Sequence, residues 1–235
     1  MRAQPQFPNE QTDTGEFKRQ SDAFRHWVTE DGRSGYPAAA GRYHLYVSLA
    51  CPWAHRTIIV RALKGLTEVI GMTVVDPIRD DQGWAFRNGP GHSLDTTNGF
   101  HFLSEAYRAT DPNYHGRVTV PVLWDRVTKR IVTNSDDDLM RIFNGEFNRF
   151  TTSRLDLYPA ALRPQIDEMN DFVYERVNDG VYRAGFATSQ QVYERAARSV
   201  FVALDQLDTR LRDRRYLFGA QFVESDWRLF VTLIR

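Results

Sequence analysis

The chain has 235 residues, with 30 Lys and Arg against 30 Asp and Glu, so its formal net charge is zero. That balance carries no overall basic excess to suggest a nucleic-acid footprint, and the sequence shows no acidic tail. Hydrophobic residues make up 42%, enough for a core, yet no apolar run approaches the roughly 20 residues that span a bilayer. The first stretch, MRAQPQFPNEQTDTGEFKRQ, has no apolar central segment, so no secretory signal is expected. A single cysteine leaves no partner for an intramolecular disulfide and fits a reducing compartment. A cytoplasmic protein is expected.

In chain order, residues 1–40 read as an extended polar arm or loop with a short helix around Ser21–Trp27. The run Arg42–Leu49 is rich in aromatic and branched residues and has the length of a strand. Pro52 then occupies a first-turn position, and apolar residues at Ile58, Ile59, Ala62, Leu63 and Leu66 predict a helix. A second apolar run, Val69–Val75, predicts a parallel strand after a right-handed crossover. Residues 79–116, rich in Gly, Asn, Asp and Pro, read as irregular, and loops this long in compact domains are usually functional or mobile. Val118–Asp125 reads as a strand whose internal Pro121 implies an edge, a bulge or a cis peptide. Thr128-Lys129 predicts a tight turn and Arg130–Thr133 the return strand. Asn134, Ser135 and Asp136 supply capping side chains ahead of a helix holding Leu139, Met140 and Ile142. From about residue 159 the pattern is purely helical, over Ala161–Tyr174, Gln190–Arg212 and from Trp227 on. The order predicts α/β followed by all-α, divided as arm 1–40, sheet domain 41–150 and helical domain 159–235.

The chemistry centres on LACPWAHR, residues 49–56. Cys51 stands where a strand runs into a helix, and backbone N–H groups together with the helix dipole there stabilise a thiolate and lower its pKa. Two readings compete, a buried packing cysteine and a reactive one, and the helix N-terminus followed by Pro52 favours the second. His55 and Arg56 are candidate sources of further positive charge. A dithiol oxidoreductase would read Cys-x-x-Cys, but the fourth position is Ala54. A redox partner of Cys51 must therefore come from outside the chain, and glutathione is the natural small thiol.

The stretch GRYHLYVSLACPWAHR (41–56) resembles the glutathionyl-hydroquinone reductases, the Xi class of glutathione transferases. The same family is matched in order by Gly83-Trp84-x-Phe86, by GRVTVPVLWD (116–125), by NDGVYRAGFA (178–187) and by DWRLF (226–230), so similarity runs from about residue 16 to the end. The resemblance implies a thioredoxin-like N-terminal domain followed by an all-helical domain, with glutathione as co-substrate and no metal. It implies that the Cys51 thiolate attacks the sulfur of a glutathionyl-hydroquinone, releasing hydroquinone, and that a second glutathione resolves the mixed disulfide. By match, Pro52 and Trp84 line the glutathione site and Arg117 holds a glutathione carboxylate. Val120, ahead of a cis Pro121, presents its backbone to the cysteinyl part. Ser135 and Asp136 meet the γ-glutamyl end, and the Tyr182 hydroxyl meets the quinol oxygen. Full-length relatives imply a homodimer.

Three departures stand out. Ser135-Asp136 replaces the family's usual Glu-Ser, and an Asp near the γ-glutamyl carboxylate repels it. Val223 stands where a Thr often caps the helix of Trp227. Relatives also continue through several more helices past the position of Arg235, so the helical domain is expected to be incomplete. Two alternatives to the reductase remain: a broader Cys-type transferase reducing dehydroascorbate or disulfides, and a non-catalytic binding protein on the same fold.

Overall fold

The computed structural model describes residues 7–235. They divide into two compact units, one of Asp22–Asp156 and one joining the residues up to Ser21 with Leu157–Arg235.

The first unit is built on four strands, β1 (Tyr43–Val47), β2 (Gly71–Val74), β3 (Val122–Asp125) and β4 (Arg130–Thr133), in the order β2-β1-β3-β4. β1 pairs in parallel with β2, and β3 runs antiparallel to both β1 and β4. A parallel pair needs a crossover, and α1 (Pro52–Leu63) supplies it. α2 (Leu103–Thr110) packs on β4, and α3 (Asp136–Gly145) packs against α1. β1 and β3 are buried at every position, as expected of central strands. Pro121 falls one residue before β3 and its bond to Val120 is cis, so the proline removes no ladder hydrogen bond from this interior strand.

The fold corrects two expectations. Residues 21–27 are not helical: Phe24 N–H donates to Asn134 Oδ1 and His26 N–H to the Val132 carbonyl, so they lie extended along β4. A sheet edge with open backbone groups outcompetes the weak local helix preference. Residues 79–116, expected to be irregular, contain α2. Glu105 Oε1 accepts the backbone N–H groups of His101 and Phe102, satisfying the donors that a helix start leaves open, and Leu103, Ala106 and Tyr107 bury its inner face.

Two buried polar anchors hold this unit. The Arg42 guanidinium donates to both oxygens of Asp125, at 2.9 and 2.7 Å, and Asp125 also accepts from Val127 N–H and the Thr128 hydroxyl in the β3–β4 turn. His44 on β1 lies 2.8 Å from the Thr73 hydroxyl on β2 and 3.3 Å from the Thr97 hydroxyl. Gly71 is needed opposite it, because a Cβ there would come within 2.6 Å of His44 Nδ1. Burial pushes the His44 pKa from 6.5 down to about 4, against an opposing pull from Asp95. At neutral pH the ring is uncharged whether the chain is folded or not. As pH falls from 6.5 to 4, the unfolded chain takes up a proton that the folded one refuses. Unfolding free energy should therefore drop by up to about 3 kcal/mol across that window. Urea titrations from pH 7.5 to 4 should show this slope, and His44→Gln should flatten it.

The second unit contains α4 (Arg163–Val173), α5 (Gly180–Gly185), α6 (Gln190–Leu211) and α7 (Glu224–Leu233). Val173, Val177, Ala203, Leu207, Leu217 and Leu229 form its core. Between α4 and α5 a single π-helical turn spans Tyr174–Asn178. Asn178 ties it to α7 by donating to the Arg228 carbonyl and the Thr232 hydroxyl. Val223 precedes α7, and the missing Thr cap is offset by Asp226, whose carboxylate accepts the N–H groups of Val223 and Leu217.

Candidate active site

Cys51 is the N-cap residue of α1, with extended backbone (φ −96°, ψ 116°) and a half-buried side chain. The turn that delivers it is locally encoded. β1 ends at Val47, the Ser48 hydroxyl accepts the Ala50 N–H, and the Ser48 carbonyl accepts the Cys51 N–H. Pro52 then starts the helix with its φ already suited to it. The Cys51 side chain makes no capping bond to α1. Its sulfur instead lies 3.6 Å from the Val120 carbonyl, within reach of a thiol donor bond. The cis peptide after Val120 is thus brought beside the sole cysteine, 69 residues away in the chain. The approach to Val120 is braced by Tyr107, whose hydroxyl donates to the Thr119 carbonyl at 2.9 Å.

The other residues expected from the sequence are placed as follows. Pro52 is the first residue of α1, and Pro121 and Val120 are buried beside Cys51. Trp84 is half-buried, with the Arg79 guanidinium 5.1 Å from its ring centroid. Arg117 is half-buried, and its carbonyl accepts from the Tyr114 hydroxyl. Ser135 is the N-cap of α3: its hydroxyl, almost fully buried, accepts the Asp138 N–H at 3.3 Å. Asp136 accepts from Arg56 at 2.8 Å. Arg56, a candidate source of positive charge, donates to Asp136 and stacks 4.5 Å from the Trp53 ring, with a side chain only 1% exposed. That ion pair joins α1 to α3. It offsets the negative charge of Asp136 at the start of α3. Its partners are 80 positions apart, and no local pattern in the chain announces it.

Tyr182 lies in the second unit, half-buried on α5. Its ring centroid is 5.7 Å from that of Phe186, and the Arg19 guanidinium lies 4.5 Å from it. Arg19 is absent from the expected site because 163 residues of chain separate it from Tyr182. Among the described residues, no group of three or more His, Cys, Asp or Glu side chains could hold a metal ion. Nor is any of their helices long and apolar enough to cross a membrane.

A mixed four-stranded sheet, a cysteine at the mouth of its first helix and a cis proline facing that cysteine define a thioredoxin-like thiol site, here in a chain that also carries a helical unit. Residues 50–139 match the glutathione S-transferase N-terminal domain and residues 190–235 the glutathione S-transferase C-terminal domain. The chain is 48% identical to the glutathionyl-hydroquinone reductase YqjG of Escherichia coli, over 94% of this chain and 70% of that protein. It is 45% identical to the glutathionyl-hydroquinone reductase PcpF of Sphingobium chlorophenolicum, over 94% and 69%. Its fold superimposes on the crystal structure of the Xi glutathione transferase of Phanerochaete chrysosporium with a TM-score of 0.90 at 46% identity, covering 93% of this chain and 74% of that one. The glutathione-bound structure of YqjG gives 0.87 at 48% identity, covering 90% and 71%. This chain belongs to the Xi class of glutathione transferases, the family of the glutathionyl-hydroquinone reductases.

Proposed function

We propose that this chain reduces glutathionyl-hydroquinones to hydroquinones at the expense of glutathione. The observation that carries the proposal is the Cys51 sulfur at the start of α1, 3.6 Å from the carbonyl that precedes the cis proline, with alanine at position 54. A thiolate there has no internal thiol to resolve it, so a diffusible one must do so.

The reaction balances as two displacements at sulfur. The ring of the conjugate, protonated at the carbon that bears sulfur, presents its glutathionyl sulfur to the Cys51 thiolate. A Cys51–glutathione disulfide forms and the carbon–sulfur bond breaks. Its electron pair passes into the ring and onto a ring oxygen, which takes a proton to complete the hydroquinone. A second glutathione thiolate then attacks the disulfide, giving oxidised glutathione and returning the Cys51 thiolate. The quinol carbon is reduced and two glutathione sulfurs are oxidised.

In this reading Val120 and Pro52 border the cysteinyl sulfur, Trp84 lines the tripeptide and Arg117 meets one of its carboxylates. Ser135 and Asp136 stand at the γ-glutamyl end. Because the Ser135 hydroxyl caps α3 and Asp136 is paired with Arg56, that end is bound chiefly through backbone N–H groups at the start of α3. Tyr182 donates to the ring oxygen on which charge develops. A cytoplasmic place, where glutathione stays reduced, and a homodimer complete the proposal.

The test is to mix the protein with a glutathionyl-hydroquinone alone and analyse it by mass. One hydroquinone per chain should be released and one glutathione should appear on Cys51. Release without an adduct would sink the covalent route. Reduction of dehydroascorbate without any hydroquinone release would move the activity to a broader Cys-type transferase. Neither reaction, with no adduct, would leave a binding protein.

A further inference from the structure

The second unit holds a cation at an aromatic ring that the chemistry above employs. We propose that Arg19 is a positioning residue for Tyr182: its guanidinium, fixed by the N-terminal arm against the tyrosine ring, orients the phenol and strengthens it as a donor to the quinol oxygen. The inference rests on the reading of Tyr182 as that donor.

The placement is built from both sides. The Arg19 Nε donates to Asp179 at 3.1 Å, and the two side chains are only 20% and 14% exposed, so this is not a solvated surface arginine. Its backbone neighbours are pinned by one buried residue: Lys18 N–H donates to the Glu10 carbonyl and Gln20 N–H to the Glu10 carboxylate, at 2.7 and 2.8 Å. The guanidinium carbon stands 4.5 Å from the Tyr182 centroid and 5.7 Å from that of Phe17. Phe7, Phe17 and Phe186 pack around one another at 5.2 to 6.4 Å and back this corner with apolar rings.

The receiving side depends on the π turn. Asp179 N–H donates to the Tyr174 carbonyl, five residues back, and the extra residue sets where α5 begins and so where Asp179 and Tyr182 point. The Glu175 carbonyl accepts from Arg183, which also pairs with Asp179 at 3.4 Å. Asp179 therefore holds two guanidinium groups, one from its own helix and one from the arm. Single π turns of this kind are frequent at functional sites. A cation against the ring draws π density toward itself. In a partly desolvated setting that interaction favours the phenol as a donor where negative charge grows on the substrate.

The two half-reactions separate this role from simple attachment of the arm. Hydroquinone release is measured in a single turnover without glutathione, and clearance of the Cys51 adduct is measured after glutathione is added. Arg19→Met should slow release about tenfold, within the range such a contact supplies, and leave clearance unchanged. Arg19→Lys should recover most of the release rate. Arg19→Gln, which keeps a donor for Asp179 without the charge, should behave like the Met variant and serves if that one folds poorly. Arg195→Met breaks another ion pair of the arm, to Glu16, and should alter neither step. Parent-like release by both uncharged variants, alongside slow release by Tyr182→Phe, would overturn the inference and leave the Tyr182 reading standing. Slow release by Arg195→Met as well would overturn it in favour of plain attachment. Parent-like release by Tyr182→Phe would remove the Tyr182 reading, and this inference with it.

Discussion

Cys51→Ser is expected to lower steady-state hydroquinone release by at least about a thousandfold, because a serine hydroxyl stays un-ionised at neutral pH and is a poor nucleophile toward sulfur. The helix start, the cis proline and the tripeptide contacts would remain, so glutathione should still bind with little change in affinity. The loss should therefore fall on turnover, with binding followed separately by calorimetry. The serine variant should also give no glutathione adduct by mass. If it released hydroquinone at a rate comparable to the parent, glutathione would be attacking the substrate directly and the mixed disulfide would not lie on the path. Because Cys51 is the only cysteine, no second thiol can take over and blur the result.

The largest expected loss of stability comes from Asp125→Ala. The Asp125 side chain is fully buried and Arg42 only 14% exposed, and their two-point contact joins the residue before β1 to the end of β3. Removing the carboxylate strands a guanidinium in a dry site and also releases the donors of the β3–β4 turn, Val127 N–H and the Thr128 hydroxyl. Breaking one side of such a pair costs about 3–5 kcal/mol, which urea denaturation would read directly. Asp125→Asn, still able to accept, should lose less. A midpoint equal to that of the parent would show that the pair contributes nothing net. Burial works to raise the Asp125 pKa, but the hydrogen bonds from Arg42, Val127 and Thr128 outweigh it and hold the carboxyl below the ordinary 3.8. Its stabilisation is thus present above about pH 4 and lost as pH falls through the lower folded value. The His44 slope lies higher, between 6.5 and 4, so the two contributions separate on one pH series.

Local pattern predicts the elements here wherever one face is buried and the turn chemistry is short-range. Strand β1, the proline at the start of α1, the tight turn before β4 and the caps of α3 are all written within a few residues of where they act. The same holds for Cys51, whose turn is closed by Ser48 only three positions away. The pattern fails where a distant group decides. Residues 21–27 are extended because β4 offers them backbone partners more than a hundred positions on. α2 hides in a Gly- and Asn-rich stretch because its start is stabilised by one glutamate rather than by a long apolar period.

The candidate site divides along the same line. That the chain holds one thiol, that it sits at a helix start, that Ala54 denies it an internal partner and that a proline breaks the strand before β3 are properties of adjacent residues, and they already imply chemistry with an external thiol. Which groups that thiol and its neighbours meet is another matter. The Val120 carbonyl at the sulfur, Arg56 paired with Asp136, and Arg19 against Tyr182 join residues 69, 80 and 163 positions apart. Such pairs form because a buried charge or donor must find a partner wherever the fold brings one, and chain order carries no record of that search.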